Sequence, residues 1–106
     1  MDNSKMIEAC LTCFAACEKT AAISIKMADA DYLRCIALCR DCTELCILCV
    51  KLDERDSDYK HQIMNVCIDN CLACAEECER FPNSEDHVKS AKACRKCVEE
   101  MQKLLK

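Results

Sequence analysis

Residues 35–49, CIALCRDCTELCILC, place thiols at Cys35, Cys39, Cys42, Cys46 and Cys49, at spacings of 4, 3, 4 and 3. Residues three and four apart share one face of an α-helix. The five sulfurs therefore form one stripe, roughly 21 Å long at about 1.5 Å per residue. A seam with this spacing ordinarily carries Leu, Ile or Val. Here every seam position is a soft metal ligand, and any fold for the chain has to give that stripe a use.

The pattern recurs along the chain. Cys35, Cys39, Cys42 and Cys46 are echoed 32 residues later by Cys67, Cys71, Cys74 and Cys78. A first helix, capped by Asn3 or Ser4 and running to about Met27, has the seam Met6, Cys10, Cys13, Cys17, Thr20, Ser24, Met27. After a short turn at 28–31, Asp29 or Asp31 caps a second helix that carries Tyr32 and the five-thiol stripe and ends near Leu52. The polar run DERDSD at 53–58 holds the next cap, Asp56 or Ser57. A third helix over about 58–80 lines up Met64, Cys67, Cys71, Cys74 and Cys78. Phe81-Pro82-Asn83-Ser84 is the strongest breaker. A fourth helix over about 85–105 has the seam His87, Ser90, Cys94, Cys97, Met101, Leu104.

The sequence contains no Gly and one Pro in 106 residues, which nearly excludes β architectures built on φ > 0 turns. Helices of about 20 residues on connections of roughly 3–6 residues must fold back on one another. The expected fold is all-α, an antiparallel up-down-up-down four-helix bundle with a cysteine-lined core, residues 1–106 forming a single domain. In that topology one end gathers Met6, Met64, Met101, Cys10 and Cys49, with His61 off the seam nearby. The other gathers Ser24, Met27, Tyr32, Cys35, Cys78, His87 and Ser90.

Charge excludes some functions. The formal net charge is −4, with acids and bases interspersed and no basic–aromatic patch for nucleic acid. The longest apolar runs are about five residues, far short of a membrane span. MDNSKMIEACLTCF shows no basic segment leading into an apolar one, so no signal peptide is visible and a cytoplasmic, reducing setting is expected. No catalytic triad, carboxylate pair in a cleft or phosphate loop is identifiable, so the chain is not read as an enzyme.

Fourteen cysteines are too many to be small core hydrophobes. Each fills less volume than Leu and forfeits apolar burial at about 25 cal/mol per Å². Facing helices also lie about 8–10 Å apart, too far for a general disulfide framework. Metal fits better. The Cys-x-x-Cys pairs lie inside helices and merge into rows, so nothing in the sequence marks off closed groups of four for Zn(II) or an iron–sulfur cluster. Soft thiolates also select Cu(I). It is content with two or three sulfurs, and the expected capacity is roughly 10–16 ions. Buried thiols remain protonated when empty, and each Cu(I) displaces about one proton.

The expected ligands are Cys10, Cys13, Cys17, Cys35, Cys39, Cys42, Cys46, Cys49, Cys67, Cys71, Cys74, Cys78, Cys94 and Cys97. Met6, Met64 and Met101 are either exchangeable thioether ligands or apolar plugs, and His87 is either a relay or a satisfied histidine. A Zn(II)/Cd(II) buffer of metallothionein type and a thiol redox protein remain as alternatives.

CLTCFAAC (10–17), the Cys35–Cys49 row, CIDNCLACAEEC (67–78) and AKACRKC (91–97) together resemble the bacterial copper storage proteins, specifically their cytosolic branch, over essentially the whole length. The resemblance implies homotetramers of four-helix bundles storing Cu(I) on inward-facing cysteines, with a copper chaperone or acceptor as a further partner. The chain departs from that pattern in keeping only His87 of a His-rich segment before the fourth helix. Ser90 and Met101 also stand where cysteine would continue the row. Those departures lower the expected capacity.

Overall fold

The three breaker segments are where the chain reverses. In a computed structural model, which describes residues 3–105, α1 spans Ser4–Met27, α2 Leu33–Glu54, α3 Lys60–Cys78 and α4 Glu85–Leu104. The described residues contain no strand. Each helix packs on two others, in the ring α1–α2–α3–α4, giving a rod of 42 × 18 × 18 Å. Cross-helix contacts set the direction of each. Between α2 and α3, Cys35 meets Cys78, Cys39 meets Cys74, Cys42 meets Cys71 and Cys46 meets Cys67. One number rises as the other falls, which is the antiparallel register. Cys10–Cys97, Cys13–Cys94, Thr20–Ser90 and Ser24–His87 do the same for α1 and α4. The bundle is up-down-up-down as expected.

Several helix ends differ from the sequence expectation. Tyr32 lies in a 3₁₀ turn, Ala30–Tyr32, ahead of α2. Asp29 caps that turn by accepting the Asp31 amide at 2.9 Å. Helix α2 continues to Glu54 rather than stopping near Leu52, and α3 is shorter than 58–80 at both ends. Asn3 holds the N-cap position of α1 without capping it. Its side chain instead donates to Asp53 Oδ1 at 2.7 Å, tying the start of α1 to the end of α2. Ser84 caps α4, and Glu85 and Asp86 in the first turn complement the positive end of the helix dipole.

With no glycine available, two reversals use other residues in the left-handed region, Ala28 and Asp56, each at φ 51°. Ser57 N–H then reaches back to Leu52 carbonyl at 2.9 Å, closing α2 with a Schellman-type bond. Alanine there carries a Cβ penalty of about 1 kcal/mol that glycine would not.

The core is narrow and made largely of sulfur. All fourteen cysteines have zero exposure, joined by buried Met6, Met64 and Met101 and by Ala9, Ala21, Ala75, Ala91 and Ala93. Met27, expected on the seam, is half exposed at the last residue of α1.

Candidate metal centre

The 3- and 4-residue spacing aims each row inward, and four rows converge on one axis. Neighbouring sulfurs on that axis lie 3.5–3.9 Å apart, both within a helix (Cys42–Cys46, Cys67–Cys71) and across helices (Cys13–Cys42, Cys39–Cys74, Cys17–Cys94). These separations are far longer than the ~2.05 Å of a disulfide, and all fourteen thiols are free.

The sulfurs also sort into layers, which the sequence does not show. Cys13, Cys42, Cys71 and Cys94 lie within 4.8 Å of one another, as do Cys13, Cys46, Cys71 and Cys97, and Cys17, Cys42, Cys74 and Cys94. Cys35, Cys39 and Cys78 form a triad nearer the end of the column. The quartets overlap, each of Cys13, Cys42, Cys71 and Cys94 belonging to two of them, so the rows still merge rather than divide into closed groups of four. No single helix contains such a group. Each quartet takes one thiol from each helix, so it exists only once the four are in register.

Protonation follows from burial and crowding. The Cys67 thiol beside it, together with loss of water, pushes the Cys49 thiol far above its ordinary value of 9.0. Cys71 is raised by Cys13, Cys42, Cys46 and Cys67 and by burial. At Cys35 the Cys39 thiol favours ionisation, but Cys78 and burial outweigh it and push the group up to about 12. A negative charge entering the column is best held where several neutral thiols donate to it. Cys42, facing Cys13, Cys17, Cys46 and Cys71, is such a place, and so is Cys97, facing Cys10, Cys13, Cys46 and Cys67. The empty column is thus mostly neutral thiol with local sites ready to ionise.

The two ends differ. At one, Met6, Met64 and Met101 are buried, and Met6 Sδ lies 3.5 Å from Cys10 Sγ, extending the line of sulfur outward. His61 nearby is exposed. At the other, His87 is fully buried, with Nε2 3.0 Å from Ser24 Oγ and Nδ1 2.6 Å from Ser84 Oγ. Both ring nitrogens are occupied. Thr20 and Ser90 hydroxyls meet at 2.6 Å, one donating to the other, and the accepting hydroxyl donates its own proton to a backbone carbonyl, Asp86 for Thr20 or Ala16 for Ser90. Tyr32 stacks on Phe81 with ring centroids 4.4 Å apart, and both rings pack on the imidazole at 5.5 and 4.9 Å. The Ser24–His87–Ser84 bridge and the lid role of Phe81 escaped the sequence reading. The only signals for them were the Phe81-Pro82 pair and Ser24 opposite His87 in antiparallel register.

Comparison with known proteins places this geometry. A cysteine-rich protein of Bacillus subtilis (strain 168), YhjQ, described as uncharacterized, is 35% identical over 96 residues, covering 89% of this chain and 87% of its own. The solved structure of Cu(I)-bound copper storage protein BsCsp3 superposes with a TM-score of 0.88 at 33% identity, over 96% of this chain and 97% of that one. A histidine-to-alanine variant of Streptomyces lividans Ccsp superposes with a TM-score of 0.90 at 30% identity, over 97% and 91%. The sequence profile for Csp, copper storage protein, matches residues 1–106. With its thiol column, four-helix register and full-length match, this chain belongs to the copper storage protein family.

Proposed function

We propose that the chain stores Cu(I), binding about 10–16 ions on Cys10, Cys13, Cys17, Cys35, Cys39, Cys42, Cys46, Cys49, Cys67, Cys71, Cys74, Cys78, Cys94 and Cys97. One observation carries this: all fourteen thiols are buried on one axis, with neighbouring sulfurs 3.5–3.9 Å apart. Two or three such sulfurs can close on one soft monovalent ion, and each sulfur can bridge to the next. Each incoming Cu(I) replaces about one thiol proton, so a filled core carries little more charge than an empty one. The work is storage and buffering rather than catalysis, performed by residues 1–106 as a single unit in the cytoplasm. Copper exchanges with a chaperone or acceptor protein, and the bundle assembles as a homotetramer.

Ions join and leave the column at the methionine end. Thioether sulfur there continues the line of thiols, with Met6 against Cys10. At the opposite end the imidazole and hydroxyls are already bonded to one another under two aromatic rings. His87 therefore serves as a structural plug.

The deciding test is the stoichiometry of anaerobically reduced protein titrated with Cu(I) against a competing chelator. Roughly 10–16 ions per chain is the expected result. Saturation after one or two ions would end the reading.

A further inference from the structure

The quartets have a property that copper storage does not require. A regular tetrahedron of sulfurs around Zn(II), with Zn–S bonds of about 2.3 Å, has edges of about 3.8 Å. In the quartet Cys13, Cys42, Cys71 and Cys94, four of the six edges are 3.5 Å (Cys13–Cys42), 3.6 Å (Cys13–Cys94), 3.6 Å (Cys42–Cys71) and 3.9 Å (Cys42–Cys94). All four sulfurs lie within 4.8 Å of one another and are fully buried. Each comes from the interior of a different helix, so the arrangement is held by rigid backbone.

We propose that the copper-free protein binds one Zn(II) per chain at a tetrathiolate centre formed by Cys13, Cys42, Cys71 and Cys94. The two overlapping quartets each share two ligands with this one, so filling the central site excludes both. The flanking pair share no ligand with each other and could instead take two ions. The central quartet has four S–H···S contacts along its edges, whereas Cys17, Cys42, Cys74 and Cys94 have two, Cys17–Cys94 at 3.7 Å and Cys42–Cys94 at 3.9 Å, which favours the single central ion.

The site suits zinc's geometry better than its charge. Four thiolates around a divalent ion leave a net charge of −2. The ligands are mid-helix, so the neighbouring amides are committed to carbonyls one turn back and cannot donate to sulfur as they do in zinc-knuckle loops. Zn(II) is therefore held less firmly than Cu(I), which fills the column without building up charge. A divalent ion can occupy the empty store and yield to its cargo.

The experiment uses the full-length, anaerobically reduced protein with Co(II) as the optical probe for the Zn(II) site. One Co(II) per chain is expected, with the intense d–d and sulfur-to-cobalt charge-transfer bands of four-thiolate tetrahedral coordination. Stoichiometric Zn(II) should bleach them, and so should Cu(I). The spectrum should persist in Cys10→Ser/Cys49→Ser and vanish in Cys13→Ser/Cys42→Ser, which breaks all three quartets. Circular dichroism of each variant separates loss of the site from loss of the fold.

Two Co(II) per chain would move the site to the flanking quartets and overturn the assignment. Bands lacking four-sulfur character, or lost in Cys10→Ser/Cys49→Ser, would also overturn it. Cobalt that resists Cu(I) would overturn the proposed order of affinity. Cu(I) capacity, measured on protein never exposed to a divalent ion, tests the storage reading separately.

Discussion

The two ends of this bundle close the same column by opposite means. The Met6, Met64 and Met101 end is apolar and soft, continuous in chemistry with the thiols beneath it. The His87 end is a saturated set of oxygen and nitrogen groups, with Thr20, Ser24, Ser84 and Ser90 each bonded and a Tyr32–Phe81 lid above. Buried polar groups are stable only when partnered, so the hydroxyl end gains rigidity by using up its donors. Among the described residues the thioether sulfurs meet only sulfur, as Met6 does Cys10, and that soft contact is one a passing soft ion can replace. A ligand type alone does not make a binding site; its free valence does.

The largest effect separating the column from either end should come from alkali. Thiols such as Cys49 and Cys71 are held protonated in the folded chain. Above the ordinary thiol value of 9.0, the unfolded chain sheds protons that the folded chain keeps. Stability is therefore fully present below that value and is lost as pH rises toward the folded values. Each such thiol withdraws about 1.4 kcal/mol per pH unit, and a few of them exceed a domain's total stability of about 5–15 kcal/mol. Copper-free protein should unfold by about pH 11, followed by circular dichroism, while copper-loaded protein, already deprotonated at sulfur, should not. Equal alkaline stability of the two forms would contradict the neutral-thiol core.

His87→Ala tests the sealed end. It should cost about 2–4 kcal/mol, because it opens a cavity and strands the buried Ser24 hydroxyl. Urea denaturation measures that loss. Cu(I) capacity should stay within about one ion of the parent, as expected for a plug rather than a ligand. A fall of several ions with stability intact would reverse the comparison.

The triple change Met6→Leu/Met64→Leu/Met101→Leu nearly conserves volume and should cost less than about 1.5 kcal/mol per site. It removes the three buried thioethers at that end, so stopped-flow Cu(I) uptake should slow about tenfold, an added barrier of about 1.4 kcal/mol, with final capacity unchanged. An unaltered rate would remove the methionine end as the point of access.

The smallest effect sharpens the comparison without touching metal. Ala28, left-handed at φ 51° just beyond α1 at the His87 end, should tolerate glycine with a gain of up to about 1 kcal/mol, offset in part by glycine's greater freedom in the unfolded chain. Thermal melts would show the gain, and destabilisation would mean the Cβ makes a contact that outweighs the strain.

Much of the fold was legible because helix faces repeat within a segment. The 32-residue echo between Cys35–Cys46 and Cys67–Cys78 placed two rows on two helices, and Pro82 with Ser84 marked the last reversal. What was misjudged lay at helix ends, where periodicity is weakest and caps compete. Asn3 bonds Asp53 across the bundle instead of capping, Tyr32 joins a 3₁₀ turn, and Met27 is half exposed. The dual character of His87 also stayed open, since a histidine on a seam looks the same whether its nitrogens are free or engaged.

By itself the sequence determined that this chain is helical, that its thiols line inward faces and that the core is sulfur rather than hydrocarbon. A 3- and 4-residue period is a local property that 3.6 residues per turn converts directly into a face. Only the tertiary structure decided which sulfurs share a layer, that Cys13, Cys42, Cys71 and Cys94 approach a tetrahedron, and that His87 is sealed between two serines. Those facts depend on the axial offset between helices. That offset is set by loop lengths, end contacts and side-chain packing acting together, and no one segment's pattern encodes it.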